Sequence, residues 1–438
     1  MRPFSITTLL LVALSLLAYT AQTAVGQQGL PLPNAVECRE RGGLPNVFAK
    51  WKAGKEVRIA YLGGSITEQN GWRPKTLDWF KKQYPTSSIV EINAAIGGTG
   101  SDLGVYRVRQ DVLDHKPDLL FVEFAVNDSG APVDRILKAM EGIVRQTWRA
   151  NPSTDICFVY TLTEGMLGDL ESGKFPRAAS AMEQVADHYA IPSIHMGLEA
   201  AHLHSTGKLI FTGPLPKTEA ERAALNGKIV FSGDGVHPYP ETGHQLYLES
   251  IVRSMAQIEK RGVVGPHRLP APLVADNWER AKLVPLNAVK LSAGWQKLDP
   301  SVDTLAKRFQ NRLPGLWKAD QPGETITIRF KGTALQVYDL LGPDCGQVSI
   351  QFDEKAPVVQ ARFDAYSTYY RLSTLSVAEG VPDAIHTVTI RLLPDQPDKL
   401  RILHQRKENN NLKELDPKIY NAAVWYAGAI LLIGDLVE

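Results

Sequence analysis

The chain has 438 residues, and its 48 lysines and arginines against 47 aspartates and glutamates leave a formal net charge of +1. With no basic stripe and no polybasic segment, that balance argues against nucleic acid or an anionic membrane surface as a partner, and 44% hydrophobic with 22% charged residues is the composition of a globular protein. The three cysteines, Cys38, Cys157 and Cys345, are too few and odd in number for a disulfide framework, and no Cys/His cluster has zinc-site spacing, so neither a metal nor a cofactor is expected.

From the start, Arg2 precedes a nearly unbroken apolar core at residues 9–17, followed by the small residues Ala21, Ala24 and Gly26. This is the layout of a secretory signal peptide, expected over residues 1–26. Its core is short for a membrane span. An uncleaved anchor is the alternative. The reading implies a secreted or periplasmic protein with no membrane attachment after cleavage. The roughly 410 residues that remain exceed one ordinary domain, so two are expected.

Strand and helix signals alternate from Val57 to Ile258. Apolar runs at residues 59–62, 89–92, 119–124, 156–162 and 191–194 read as buried strands. Between them lie residues at helical spacing: Leu77, Phe80 and Tyr84; Ile136, Met140 and Ile143; Met182, Val185 and Tyr189; Leu248, Ile251 and Met255. The alternation predicts a parallel sheet covered by helices on both faces, over residues 27–262. Pro266, Pro270 and Pro272 mark a linker, placed at 263–285. Residues 286–438 change character. Runs at 325–330, 334–340, 348–352 and 386–393 are β-branched or alternating and are separated by turn formers, which predicts an antiparallel β-sandwich. Residues 422–433 fit either strand or helix.

The chemistry gathers at strand ends. The first run stops at Gly63-Gly64-Ser65, a sharp turn in which glycine tolerates any positive φ required. At the carboxyl end of a parallel strand such a turn presents the serine hydroxyl to the ligand crevice; otherwise Ser65 simply caps the next helix. A serine nucleophile needs a base and a group that orients the base. Asp234-Gly235-Val236-His237 supplies both on one loop, although a solvated turn has the same spelling. Donors for an oxyanion are available after two other strands. Gly97-Gly98-Thr99-Gly100 can turn backbone N–H groups into a cavity, and Asn127 can direct its side-chain amide inward. An ordinary turn and an N-cap asparagine are the respective alternatives.

Taken together and in order, Gly64-Ser65, Gly98, Asn127 and Asp234-x-x-His237 resemble the four blocks of the SGNH hydrolase superfamily, also called GDSL esterases. The resemblance covers about Val57 to Ile258. It implies a flavodoxin-like three-layer α/β/α domain. It also implies Ser65 as nucleophile, His237 as base and Asp234 as its orienting group. The Ser65 N–H, the Gly98 N–H and the Asn127 amide are then the oxyanion hole. The family's Gly-Asp-Ser reads Gly63-Gly64-Ser65 here, which points to the Gly-Gly-Ser branch found among carbohydrate-active members. The second domain loosely resembles the jelly-roll modules of some carbohydrate esterases. Trp72, Arg73 and Asp128 are candidate substrate contacts, with an exposed helix start and a structural carboxylate as the alternatives. His195, His202 and His204 look like a metal cluster at first sight, but no carboxylate completes a ligand set; a surface insertion fits better. Trp295, Trp317 and Trp425 either stack on sugar or fill the core. The expected function is a secreted serine esterase removing acyl groups, acetyl foremost, from carbohydrate. The alternatives are a lipase or lysophospholipase on lipid esters, and a carbohydrate-binding protein with a vestigial hydrolase domain.

Overall fold

The computed structural model describes residues 32–437; the expected signal peptide lies outside the described residues. Six strands build the first sheet: β1 (Cys38–Arg39), β2 (Val57–Gly63), β3 (Ile89–Asn93), β4 (Leu119–Glu123), β5 (Asp155–Tyr160) and β6 (Ser193–His195). Their order is β1-β6-β5-β4-β2-β3, parallel throughout except for the antiparallel edge pair β1–β6. Successive side chains of β2 go to opposite faces, as the pleat requires. Val57, Ile59 and Tyr61 join the core under helices Pro45–Lys52, Trp72–Gln83 and Gly243–Ile258, while Ala60 and Leu62 join the core under Ser101–Asp111, Val133–Ala150 and Arg177–His188. The result is the expected three-layer, flavodoxin-like α/β/α arrangement. Because β3 and β4 lie on opposite sides of β2, the strand order reverses there, and the carboxyl end of β2 is the topological switch point where such sheets bind ligands. Two further strands, β7 (Leu209–Thr212) and β8 (Ile229–Ser232), pair in parallel outside the main sheet and lead into the Asp234 loop.

The second sheet is antiparallel, with nine strands: β9 (Ala281–Pro285), β10 (Lys290–Leu291), β11 (Gln296–Leu298), β12 (Leu316–Ala319), β13 (Thr325–Leu341), β14 (Gln347–Phe352), β15 (Val358–Ala361), β16 (Arg371–Leu392) and β17 (Trp425–Leu436). The two strands expected at 325–330 and 334–340 are one strand, β13, bent by register shifts at Gly332–Ala334 and Leu335–Gln336. An added residue at a bulge changes which face the following side chains take. Ile326, Ile328 and Phe330 precede the first shift and Leu335 and Val337 follow it, yet all five join one core. The shift in register thus keeps one face of β13 on that core along its length.

One expectation is corrected here, and readings left open are decided. Residues 281–285, placed in the linker, are β9 and pair with β17. The preceding stretch is held to the hydrolase domain: His267 Nε2 lies 2.7 Å from Asp155 Oδ1, and the Glu141 carboxylate accepts the N–H groups of Leu273 and Val274. Residues 425–436 are strand, not helix. Trp295 and Trp425 pack edge to face inside the second core and fill space there, while Trp317 lies part-buried against its margin. Cys38, Cys157 and Cys345 are all free thiols.

The two sheets share apolar core. Tyr106, Ile143 and Trp278 lie in the same buried cluster as Phe309, Leu313, Tyr338 and Leu431 of the second domain. Ion pairs reinforce the seam, with Arg135 bridging Asp102 and Glu379. A common core couples the unfolding of its parts. Calorimetry of the full chain is therefore expected to show one cooperative transition; two resolved transitions would contradict a shared core.

Candidate active site

The site grows from the turn that ends β2. Gly63 and Gly64 are demanded by close approach and not, as expected, by positive φ: Gly64 is extended at φ −93° and ψ −154°. A Cβ on Gly63 would lie 2.7 Å from Thr67 Oγ1, and one on Gly64 would lie 2.0 Å from Asn127 Oδ1. Ser65 follows at the first position of the short helix Ser65–Glu68, where backbone N–H groups have no helical acceptor.

Ser65 Oγ stands 2.8 Å from His237 Nε2, and His237 Nδ1 stands 2.7 Å from Asp234 Oδ2. Asp234 does two jobs with two oxygens. Its Oδ1 accepts the N–H groups of Val236 and His237 at 2.9 and 2.8 Å, closing an Asx turn. Its Oδ2 is left for the ring. Gly235, at φ +77°, supplies the left-handed step in that turn, and its N–H is held by Ser232 Oγ at the end of β8. Burial works against ionised Asp234, but the His237 and Val236 donors outweigh it and lower its pKa to about 2. A carboxylate only accepts, so Nδ1 carries the proton and Nε2 presents its lone pair to the Ser65 hydroxyl.

Gly97 and Gly98 come round beside Ser65. A Cβ on Gly97 would lie 3.5 Å from Ser65 Cβ, while Gly98, at φ +75°, has open space beside it. Asn127, in the turn after β4, lays its carboxamide against Gly64. Thus Ser65, Gly98, Asn127, Asp234 and His237 converge on one spot from four separate segments.

Two carboxylates in this framework escaped sequence reasoning. Glu123, fully buried at the end of β4, accepts Thr67 Oγ1–H at 2.9 Å, Thr161 Oγ1–H at 2.7 Å and the Gly64 N–H, and burial raises its pKa. Glu68 accepts the Gly97 N–H at 2.9 Å through Oε2 and meets Arg312 Nη2 of the second domain at 2.7 Å through Oε1. A glutamate inside an apolar strand was the available signal for Glu123; Glu68 has no signal, since its partners are distant in sequence.

Three candidate contacts are corrected. Trp72 is wholly buried against Tyr61 and Phe121, and Arg73 is buried and bonded to Glu91 and the Thr67 carbonyl, so neither faces a ligand. Asp128 is buried too. Its Oδ1 accepts the Ser101 N–H at 3.0 Å, its Oδ2 has no partner among the described residues, and burial raises its pKa to about 7. It ties down the glycine loop from beneath. His244 is internal: Nδ1 accepts the Trp72 N–H, Nε2 donates to Gln69, and burial lowers its pKa to about 3. His195 is buried among Tyr160 and Phe175, while His204 pairs with Glu171; they share no site.

Beside the glycine loop an open cleft of about 470 Å³ runs between the domains. Gly98 and Thr99 line one wall, and Arg308, Gln336, Tyr369 and Tyr370 line the other.

Residues 61–246 match the GDSL-like lipase/acylhydrolase family. No curated protein matches the chain. Among solved structures, a two-domain esterase (CEX) active on acetylated mannans, co-crystallised with mannopentaose, is similar at 22% identity with a TM-score of 0.67, over 91% of this chain and 96% of that one. A second structure of such a two-domain esterase gives 20% identity and a TM-score of 0.66, over 91% and 97%. At these identities the likeness establishes the two-domain fold. Residues 61–246 thus form a GDSL-like lipase/acylhydrolase domain, which together with the esterase-like fold supports a hydrolase of carboxylic ester bonds.

Proposed function

We propose that the protein is a secreted serine esterase that removes acyl groups, acetyl foremost, from carbohydrate. The observation that carries this reading is the hydrogen-bonded line Asp234–His237–Ser65, opening beside a polar cleft walled by both domains. Ser65 Oγ attacks the ester carbonyl while its proton passes to His237 Nε2. Asp234 holds the ring and stabilises the imidazolium. The N–H groups of Ser65 and Gly98 and the Asn127 amide receive the negative oxygen. The tetrahedral species collapses, the bond from the acyl carbon to the sugar oxygen breaks, and His237 gives its proton to that departing oxygen. Water, activated by the same imidazole, then releases the acid from Ser65.

The substrate class is argued from the walls. A long acyl chain needs an extended apolar groove, since each buried CH₂ contributes about 0.8 kcal/mol. The cleft instead offers arginine, glutamine and tyrosine side chains, which suit hydroxyl-rich ligands. The esterases similar in fold act on acetylated mannans, which supports the same direction. The expected leader over residues 1–26 is consistent with a substrate outside the cell.

Asn127→Ala is expected to lower kcat by about a hundredfold or more with a smaller change in KM, because one oxyanion donor is worth about 3 kcal/mol in the transition state. A rise in KM alone would mark Asn127 as a ground-state contact. A series of p-nitrophenyl esters tests substrate class. Acetate should be preferred, with kcat/KM falling steeply by octanoate. A preference for long chains would favour the lipase reading.

A further inference from the structure

Glu68 joins three parts of the molecule that sequence keeps apart. It closes the short helix that begins at Ser65. Its Oε2 accepts the N–H of Gly97, the residue before Gly98, at 2.9 Å. Its Oε1 is held at 2.7 Å by Arg312 Nη2 from the second domain. The glycine loop has other ties: the Ile96 N–H to the Gly63 carbonyl, the Thr99 hydroxyl to the Ile96 carbonyl, and the Ser101 N–H to Asp128. Those ties stay within the first domain. Of these anchors, Glu68 is the one whose other end belongs to the second domain.

Arg312 is itself firmly based. Its N–H and that of Leu313 bond the Phe309 carbonyl at 2.9 and 3.0 Å, and Phe309 and Leu313 are buried in the core shared by the domains. We propose that the Arg312–Glu68–Gly97 chain lets the second domain position the oxyanion hole, making Glu68 and Arg312 positioning residues for catalysis rather than a surface ion pair. The inference rests on the Ser65 esterase reading above.

Two physical effects run along the chain. The first is geometric. A Cβ on Gly97 would lie 2.6 Å from Glu68 Oε2, so the loop rests against the carboxylate, and the direction of the next N–H, that of Gly98, follows from where Gly97 is held. Freed from Arg312, Glu68 is part-exposed and water competes for its oxygens. The second is electrostatic. An unpaired carboxylate beside Ser65 opposes the negative charge that develops on the substrate oxygen, and Arg312 offsets it. Both effects act in the transition state, so both appear in kcat.

The test uses p-nitrophenyl acetate, a substrate too small to need the second domain for binding. Arg312→Ala in the full chain is expected to lower kcat about fivefold with KM nearly unchanged, the size of a strong exposed pair, and Arg312→Lys to retain much of the rate. Glu68→Gln still offers an oxygen to Gly97 but carries no charge. The double variant Glu68→Gln/Arg312→Ala should therefore recover part of what Arg312→Ala loses. Arg135→Ala, which breaks the other bridge between the domains, is the matched control and should leave kcat within twofold of wild type. The proposal is overturned if Arg312→Ala keeps wild-type kcat, if the loss falls on KM alone, or if Arg135→Ala costs as much. An unmutated enzyme with no Ser65-dependent turnover would instead remove the esterase reading, and this inference with it.

Discussion

The site depends on how closely three backbones approach at the end of β2. The turn Gly63-Gly64-Ser65 is wedged between Thr67 and Glu123 on one side and the Asn127 carboxamide on the other, leaving no room for a Cβ on either glycine. That crowding puts the serine, the asparagine and the glycine loop into one small volume without any strained φ. It is possible only at the switch point, where β3 and β4 flank β2 and their following turns rise side by side. The Asp234–His237 loop arrives from outside the sheet, carried by β8, and completes the line to Ser65 Oγ.

Around Ser65, Gly98 and Asn127 lie buried or part-buried carboxylates, each tied to backbone. Glu123 takes the Gly64 N–H, Glu68 takes that of Gly97, and Asp128 takes that of Ser101. Burying such a group is costly unless hydrogen bonds compensate it. Here the bonds go to the segments that carry Ser65 and Gly98, so the cost is borne where rigidity matters for the chemistry. The second domain extends this support through a shared core and through Arg312.

Much of this was legible in the sequence because the informative signals were local. Five apolar runs and four helical periodicities predicted the parallel sheet, and Gly64-Ser65, Gly98, Asn127 and Asp234-x-x-His237 each sit where a strand ends. What failed was whatever depended on distant partners. Trp72 and Arg73 follow Ser65 closely in sequence, but the helix Trp72–Gln83 turns both inward. Residues 371–385 carry Ser373, Thr374, Ser376 and Glu379 among their apolar neighbours and went unread, although they form the first half of β16. That half gains its strand character from pairing with β13, not from composition. β9 was read as linker for the same reason: its strand identity lies in β17, well over a hundred residues away. Glu68 and Arg312 show the limit most plainly, since 244 positions separate the two ends of that contact.

The central claim is that Ser65 is a nucleophile activated by His237. Its most direct test is covalent. A fluorophosphonate reacts with a serine whose proton a neighbouring base can take. Incubation with such a reagent, followed by peptide mass spectrometry, should find a single phosphonyl adduct on the peptide bearing Ser65, and His237→Ala should abolish it. An unlabelled wild-type protein, or an adduct on another residue with Ser65 unmodified, would contradict the account.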